Sequence, residues 1–89
     1  MEIRHFKYFL KVAEERNFSK AAEKLFISQP PLSRQIIEME NEIGAKLFIR
    51  NNKKVELTEA GKFFESEIKQ LMSSLERIIL KTRKISENI

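Results

Sequence analysis

Cysteine is absent from the 89 residues. That excludes disulfides and thiolate metal sites, and it points to a reducing, cytoplasmic compartment. Long apolar runs are missing too. The longest purely aliphatic stretch, Ile78-Ile79-Leu80, is far too short to cross a bilayer. The amino-terminal Met1-Glu2-Ile3-Arg4-His5 lacks the apolar core of a signal peptide. Glycine is confined to Gly44 and Gly61, and proline to Pro30 and Pro31. So little backbone punctuation, in a chain rich in Glu, Lys, Leu and Ile, reads as mainly helical. There is no nucleophile–base pair, metal-ligating cluster or Gly-rich phosphate loop. The expectation is a single small domain that is not an enzyme and holds no cofactor or metal. What is in excess is positive charge: 17 Lys and Arg against 13 Asp and Glu, a net charge of +4. This is a modest lean towards anionic partners.

The apolar spacing supplies the elements. Ile3, Phe6, Phe9, Leu10 and Ala13 share one face of a first helix. Asn17 and Phe18 interrupt the pattern, and Ser19 reads as the N-cap of a short second helix ending in Leu25 and Phe26. Phe26-Ile27-Ser28 reads as a tight turn. A third helix starts between positions 29 and 31, since proline suits a first helical turn whose amides have no intrahelical acceptor. With Ser28 as its N-cap, the amides that cap would normally hold are missing at Pro30 and Pro31. Leu32, Ile36, Met39 and Ile43 form its buried stripe, and Gly44 ends it in the left-handed conformation. Two short strands, Leu47 to Arg50 and Val55 to Leu57, flank an Asn-Asn-Lys-Lys turn. Thr58 then caps a long helix running to Ile89.

On that last helix, Phe64, Ile68, Leu71, Leu75, Ile78, Thr82, Ile85 and Ile89 follow alternating spacings of 4 and 3, a heptad seam. Such a helix is about 45 Å long, far longer than so small a head. Most of the seam is therefore expected to meet another chain, and Phe63, Met72, Ile79 and Leu80 widen that apolar surface.

On the third helix, Pro30, Arg34, Ile37 and Asn41 lie opposite the buried stripe, with Ser33 and Glu38 beside them. Farther along come Glu38, Glu40 and Glu42, which read as a solvated face that cannot rest against phosphates without cost. Only the start of the helix can then enter a DNA groove, end first. Arg suits guanine O6/N7, Gln suits adenine N6/N7, and a rigid proline ring suits a thymine methyl. The paired prolines make a stiff tip. Lone His5 beside a core stripe reads as structural.

The whole pattern reads as mainly α: a winged helix-turn-helix of three helices plus a two-stranded wing over residues 1–58, then a long dimerisation helix over 59–89. "FSKAAEKLFISQPPLSRQIIEMENEIGAKLFIR" followed by "LTEAG" closely resembles the DNA-binding region of LysR-type transcriptional regulators, and "IRHFKYFLKVAEE" fits their first helix. The resemblance spans essentially the whole chain. It implies a bacterial, sequence-specific regulator that binds double-stranded DNA as a homodimer on interrupted palindromes of the T-(spacer)-A kind. It also implies antiparallel pairing of the linker helix, with a tetramer possible in the full-length regulator. A carboxyl-terminal domain that binds a small-molecule effector would lie beyond Ile89. No membrane partner is implied.

Carried over by position, Gln29, Pro30, Ser33 and Arg34 match the family's base-contacting residues. Ser19 and Ser28 match positions near the phosphate backbone, and Arg50, Lys53 and Lys54 match the basic wing at the minor groove. The wing tip here departs from the Arg and Gly of many members, and lysine is a more strongly hydrated charge than arginine. The alternative reading is a winged-helix protein-interaction module that dimerises without reading DNA.

Overall fold

Four helices and one antiparallel pair of strands follow in the order α1 (Ile3–Glu15), α2 (Phe18–Leu25), α3 (Gln29–Ile43), β1 (Phe48–Arg50), β2 (Val55–Leu57) and α4 (Glu59–Glu87). The structure, a computed structural model, describes residues 1–51 and 54–88. The wing residue Lys53 and the last seam residue Ile89 lie outside the described residues. The architecture is the winged helix-turn-helix with a long final helix that the sequence predicts.

Each helix begins and ends for a local reason. At the start of α1 the Glu2 amide donates to His5 Nδ1 at 3.0 Å, so His5 serves the helix end. Arg16 closes α1 in the left-handed region (φ 53°), its amide donating to the Val12 carbonyl at 2.8 Å. The cap of α2 is Asn17, not Ser19: the Asn17 side chain accepts from the Lys20 amide at 2.9 Å. Asn and Ser cap about equally well, so packing decides. Starting α2 at Phe18 turns that ring into the core, where only 7% of it stays exposed. Ser28 precedes α3 with extended backbone and makes no side-chain capping bond, as the missing proline amides require. Gly44 ends α3 at φ 82°. Thr58 caps α4 by accepting from the Gly61 amide at 2.9 Å.

The core gathers Phe9, Val12, Ala21, Leu32, Ile36, Met39, Leu47 and Phe48 from α1, α2, α3 and β1. Each large side chain buried this way contributes about 1.5–3 kcal/mol. The stripe on α1 is shifted from the expected one: Val12 belongs to it, while Ile3 at the helix start stays exposed. The stripe on α3 also ends early. Ile43 sits at the expected angle, yet it is exposed because the helix has run past the head at its last turn.

Glu40 makes the opposite correction. It was expected on a solvated face with Glu38 and Glu42, but only 5% of it is exposed. Its Oε2 accepts from the amides of Leu47, at 2.7 Å, and Phe48, at 3.2 Å. Its carbonyl accepts from Gly44 and Ala45. One residue therefore turns the chain out of α3 and holds the first residues of the wing, and β1 opens at Phe48 rather than Leu47. The strands pair Phe48 with Leu57, Ile49 with Glu56, and Arg50 with Val55.

The long helix is rooted in the head by close approach. The Thr58 amide donates to the Leu47 carbonyl at 3.0 Å, and the Thr58 hydroxyl to the Lys46 carbonyl at 2.7 Å. A Cβ on Gly61 would stand 2.1 Å from the Leu47 oxygen, so no larger residue fits there without displacing backbone. Phe64 meets Phe9 edge-on, with ring centroids 5.0 Å apart, and Ile68 is buried. These two members of the expected dimer seam are thus covered by their own chain. Farther along the stripe Leu71, Ile78 and Ile85 are exposed and Leu75 is half-buried, and the molecule extends over 56 × 27 × 20 Å.

Candidate nucleic-acid interface

The first two turns of α3 gather the residues singled out in the sequence. Pro30, Pro31 and Arg34 are exposed, while Gln29 and Ser33 are half-buried beside them. Both prolines lie inside the first turn, where the fixed φ of the ring suits the helix. One turn apart on the same face, Gln29 Nε2 donates to Ser33 Oγ at 3.0 Å. Ser28 is exposed just before them.

The wing comes up against this tip through Arg50. Its Nη1 donates to Ser33 Oγ at 3.3 Å. Its guanidinium carbon sits 4.0 Å from the centroid of the Phe18 ring, a cation–π contact. Phe18 in turn packs edge-on against Phe48 with centroids 5.9 Å apart, and Phe48 lies 5.3 Å from Phe9. Arg50, expected only as a backbone-facing wing cation, is therefore also bonded to α3. Sequence spacing shows the pairing of Gln29 with Ser33, four residues apart on a helix. It carries no sign of Arg50, which lies 17 residues beyond Ser33.

Between the start of α2 and the wing lies an open cleft of about 280 Å³, lined by Arg16, Asn17, Phe18, Ser19, Arg50, Asn51, Lys54 and Val55. Its three charged lining residues, Arg16, Arg50 and Lys54, are all cationic. Ser19 stands in the first turn of α2, beside amides that carry the positive end of the helix dipole. The wing turn closes with the Asn51 amide donating to the Lys54 carbonyl at 2.9 Å. Arg16 was not among the expected contacts. Its signal was a helix ending without glycine, which places an arginine in the left-handed region at the mouth of this cleft.

The carboxylates of α3 begin one turn beyond Arg34. Glu38 and Glu42 are exposed farther along α3, and Glu40 is buried against the wing root. Glu15 bonds Lys24 Nζ at 2.7 Å across α1 and α2. That hydrogen bond lowers the Glu15 pKa and raises that of Lys24. It is a structural tie on the helix pair, not part of the cationic cleft.

Residues 3–62 match the model of the family described as "Bacterial regulatory helix-turn-helix protein, lysR family". The chain is 47% identical over 85 residues to the probable cat1 operon transcriptional activator of Acinetobacter lwoffii, covering 96% of this chain and 28% of that protein. It is 44% identical over 86 residues to the transcriptional regulator BenM of Acinetobacter baylyi, covering 97% of this chain and again 28% of the relative. The chain thus spans under a third of the length of these curated relatives. Among solved structures, it superposes on the BenM DNA-binding domain in complex with benA site 1 DNA with a TM-score of 0.93. That match has 44% identity and covers 97% of both chains. The CbnR DNA-binding domain in complex with DNA also gives 0.93, at 36% identity, over 97% of this chain and 99% of that one.

Proposed function

This chain belongs to the lysR family of bacterial regulatory helix-turn-helix proteins, and from that premise we propose that it is the sequence-reading head of a transcription regulator. It binds double-stranded DNA with the first turn of α3 in the major groove. The observation that carries this reading is the tip itself. Gln29, Pro30, Ser33 and Arg34 lie within the first two turns of α3, a cationic cleft adjoins them, and the acidic residues of α3 come farther along the helix. The BenM and CbnR domains on which the chain superposes were solved in complex with DNA, which supports a DNA partner.

In this reading Arg34 meets a guanine edge and Gln29 an adenine edge, while the Pro30 ring lies against a thymine methyl. Ser19, Ser28 and Arg16 meet phosphates, where contacts set register rather than sequence. Arg50, Lys53 and Lys54 bring the wing to the adjacent minor groove. The open stripe of α4 from Leu71 to Ile85 pairs with the same helix of a second copy. Two heads then meet the halves of an interrupted palindrome. The whole regulator works in the cytoplasm and carries a domain that binds a small-molecule effector. No helix among the described residues is long and apolar enough to cross a membrane.

Titration of the chain onto duplexes selected from a random pool, and onto scrambled ones, across a range of salt tests the reading. Affinity should fall steeply with salt. Arg34→Ala should narrow the gap between selected and scrambled DNA by about 1–3 kcal/mol. Salt-insensitive or absent binding would favour the protein-interaction module instead.

A further inference from the structure

The Ser33 hydroxyl is shared by two elements that the chain order keeps apart. A hydroxyl oxygen offers two lone pairs and one proton. Here one lone pair takes the Gln29 Nε2 proton at 3.0 Å and the other takes an Arg50 Nη1 proton at 3.3 Å. The proton is the only capacity left. Ser33 therefore meets DNA as a donor, suited to a phosphate oxygen, guanine O6 or N7, or thymine O4, and not to an amino group.

The same bond orients Gln29. With one Nε2 proton committed to Ser33, the carboxamide keeps its Oε1 acceptor and its second N–H donor free. That acceptor–donor pair is the one that matches adenine N6 and N7. Arg50 is itself held, because its planar guanidinium lies 4.0 Å over Phe18 and that ring is buried against Phe48. A planar, stacked fork keeps a direction that a flexible ammonium does not.

We propose that Arg50 is a positioning residue for base reading: from the wing strand it fixes Ser33 Oγ as a donor and, through Ser33, turns the Gln29 carboxamide towards adenine. The proposal rests on the DNA-reading function argued above. It assigns to the wing strand an effect on base preference in the major groove, apart from any phosphate contact.

The test is selection from a pool of randomised duplexes with the parent chain and with Gln29→Ala, Ser33→Ala, Arg50→Ala, Arg50→Lys and Ser33→Ala/Arg50→Ala. Helix content is checked by circular dichroism. Gln29→Ala should erase preference at one adenine position of the selected site. Ser33→Ala and Arg50→Ala should each weaken preference at that same position by roughly two- to tenfold, the worth of one net hydrogen bond. The double variant should lose no more than Ser33→Ala alone, and Arg50→Lys should not restore the preference. The positioning role alone is overturned if Arg50→Ala weakens all duplexes equally and Arg50→Lys restores that loss. A parent chain that selects no sequence overturns the DNA-reading function and this proposal with it. Should Arg50→Ala lose helix content, Ser33→Ala decides: an unchanged adenine preference in that variant overturns the proposal.

Discussion

In the head, Phe9, Leu32, Ile36 and Leu47 lose essentially all contact with solvent, while in the outer half of α4, Leu71, Ile78, Leu80 and Ile85 each keep more than half of theirs. Both regions are helical and draw on the same residue types, so propensity does not separate them. In the head three helices surround a common centre, and each apolar face has a neighbour within the chain. Beyond Ile68, α4 has left the head, and Leu71, Ile78 and Ile85 of its stripe are exposed. An isolated helix draws little stability from its own backbone bonds, so packing must supply the rest. That exposed stripe is what the proposed pairing with a second copy would cover. Gly61 stands at the junction, where helix and wing root come within contact of each other.

The contrast is broken most sharply in the stalk. Leu71→Asp or Leu75→Asp places a carboxylate in the proposed dimer seam, where burying it unpaired is costly. The variant should sediment as a monomer and keep its helical circular dichroism. Its affinity for a palindromic site should drop by about 10²–10⁴, the avidity of a linked second head. A dimeric variant would show that the open stripe serves something else.

Next comes the head's buried carboxylate. Glu40→Ala leaves the Leu47 and Phe48 amides without their acceptor. Urea unfolding should show a loss of about 2–4 kcal/mol, on the usual cost of unsatisfied buried groups. Oligomeric state at moderate concentration should not change, in contrast to the stalk variants. A loss within error of zero would mean that water takes the place of Glu40.

The junction is tested by Gly61→Ala. Its Cβ would collide with the Leu47 carbonyl, so the root of α4 must shift. The expected loss is about 1–3 kcal/mol in a thermal or urea melt, the usual cost of overpacking. A neutral result would show that the helix root slides freely against the wing.

The smallest effect belongs to the Glu15–Lys24 tie. Lys24 holds the Glu15 pKa below its ordinary value, so the tie's stabilisation is present above the usual carboxylate range and fades as pH falls through the lowered value. The Lys24 pKa is raised, so the same stabilisation is complete below the ordinary lysine range and fades as pH rises through the higher value. Melting temperatures of the parent and Glu15→Gln should differ slightly across neutral pH and converge in acid. A gap that persists in strong acid would show that packing, not charge, accounts for it.

Much of this fold was legible from periodicity and end signals. Leu32, Ile36 and Met39 are where a helical stripe puts them, and Gly44 and Thr58 end and begin helices as their chemistry suggests. Failures came where two local choices were equivalent. Asn17 and Ser19 are both good caps, and the burial of Phe18 chose between them. Ile43 and Glu40 misled for a related reason. Periodicity gives an angle around a helix axis but not how far along it the neighbours extend. Ile43 lies beyond them, and Glu40 lies where the wing returns.

By itself, the sequence determined the helices, the stiff proline tip of α3, the group Gln29, Ser33 and Arg34, and the heptad stripe of α4. These depend on residues within a turn or two of each other, and local geometry relates such residues whatever the rest of the chain does. Only the tertiary structure decided that Glu40 holds the wing root, that Gly61 lies against Leu47, that Phe64 and Ile68 belong to the head, and that Arg50 reaches Ser33. Those pairs are brought together by the packing of α1, α3, β1 and α4 around one core. Contacts between elements depend on that packing, and no spacing along the chain encodes it.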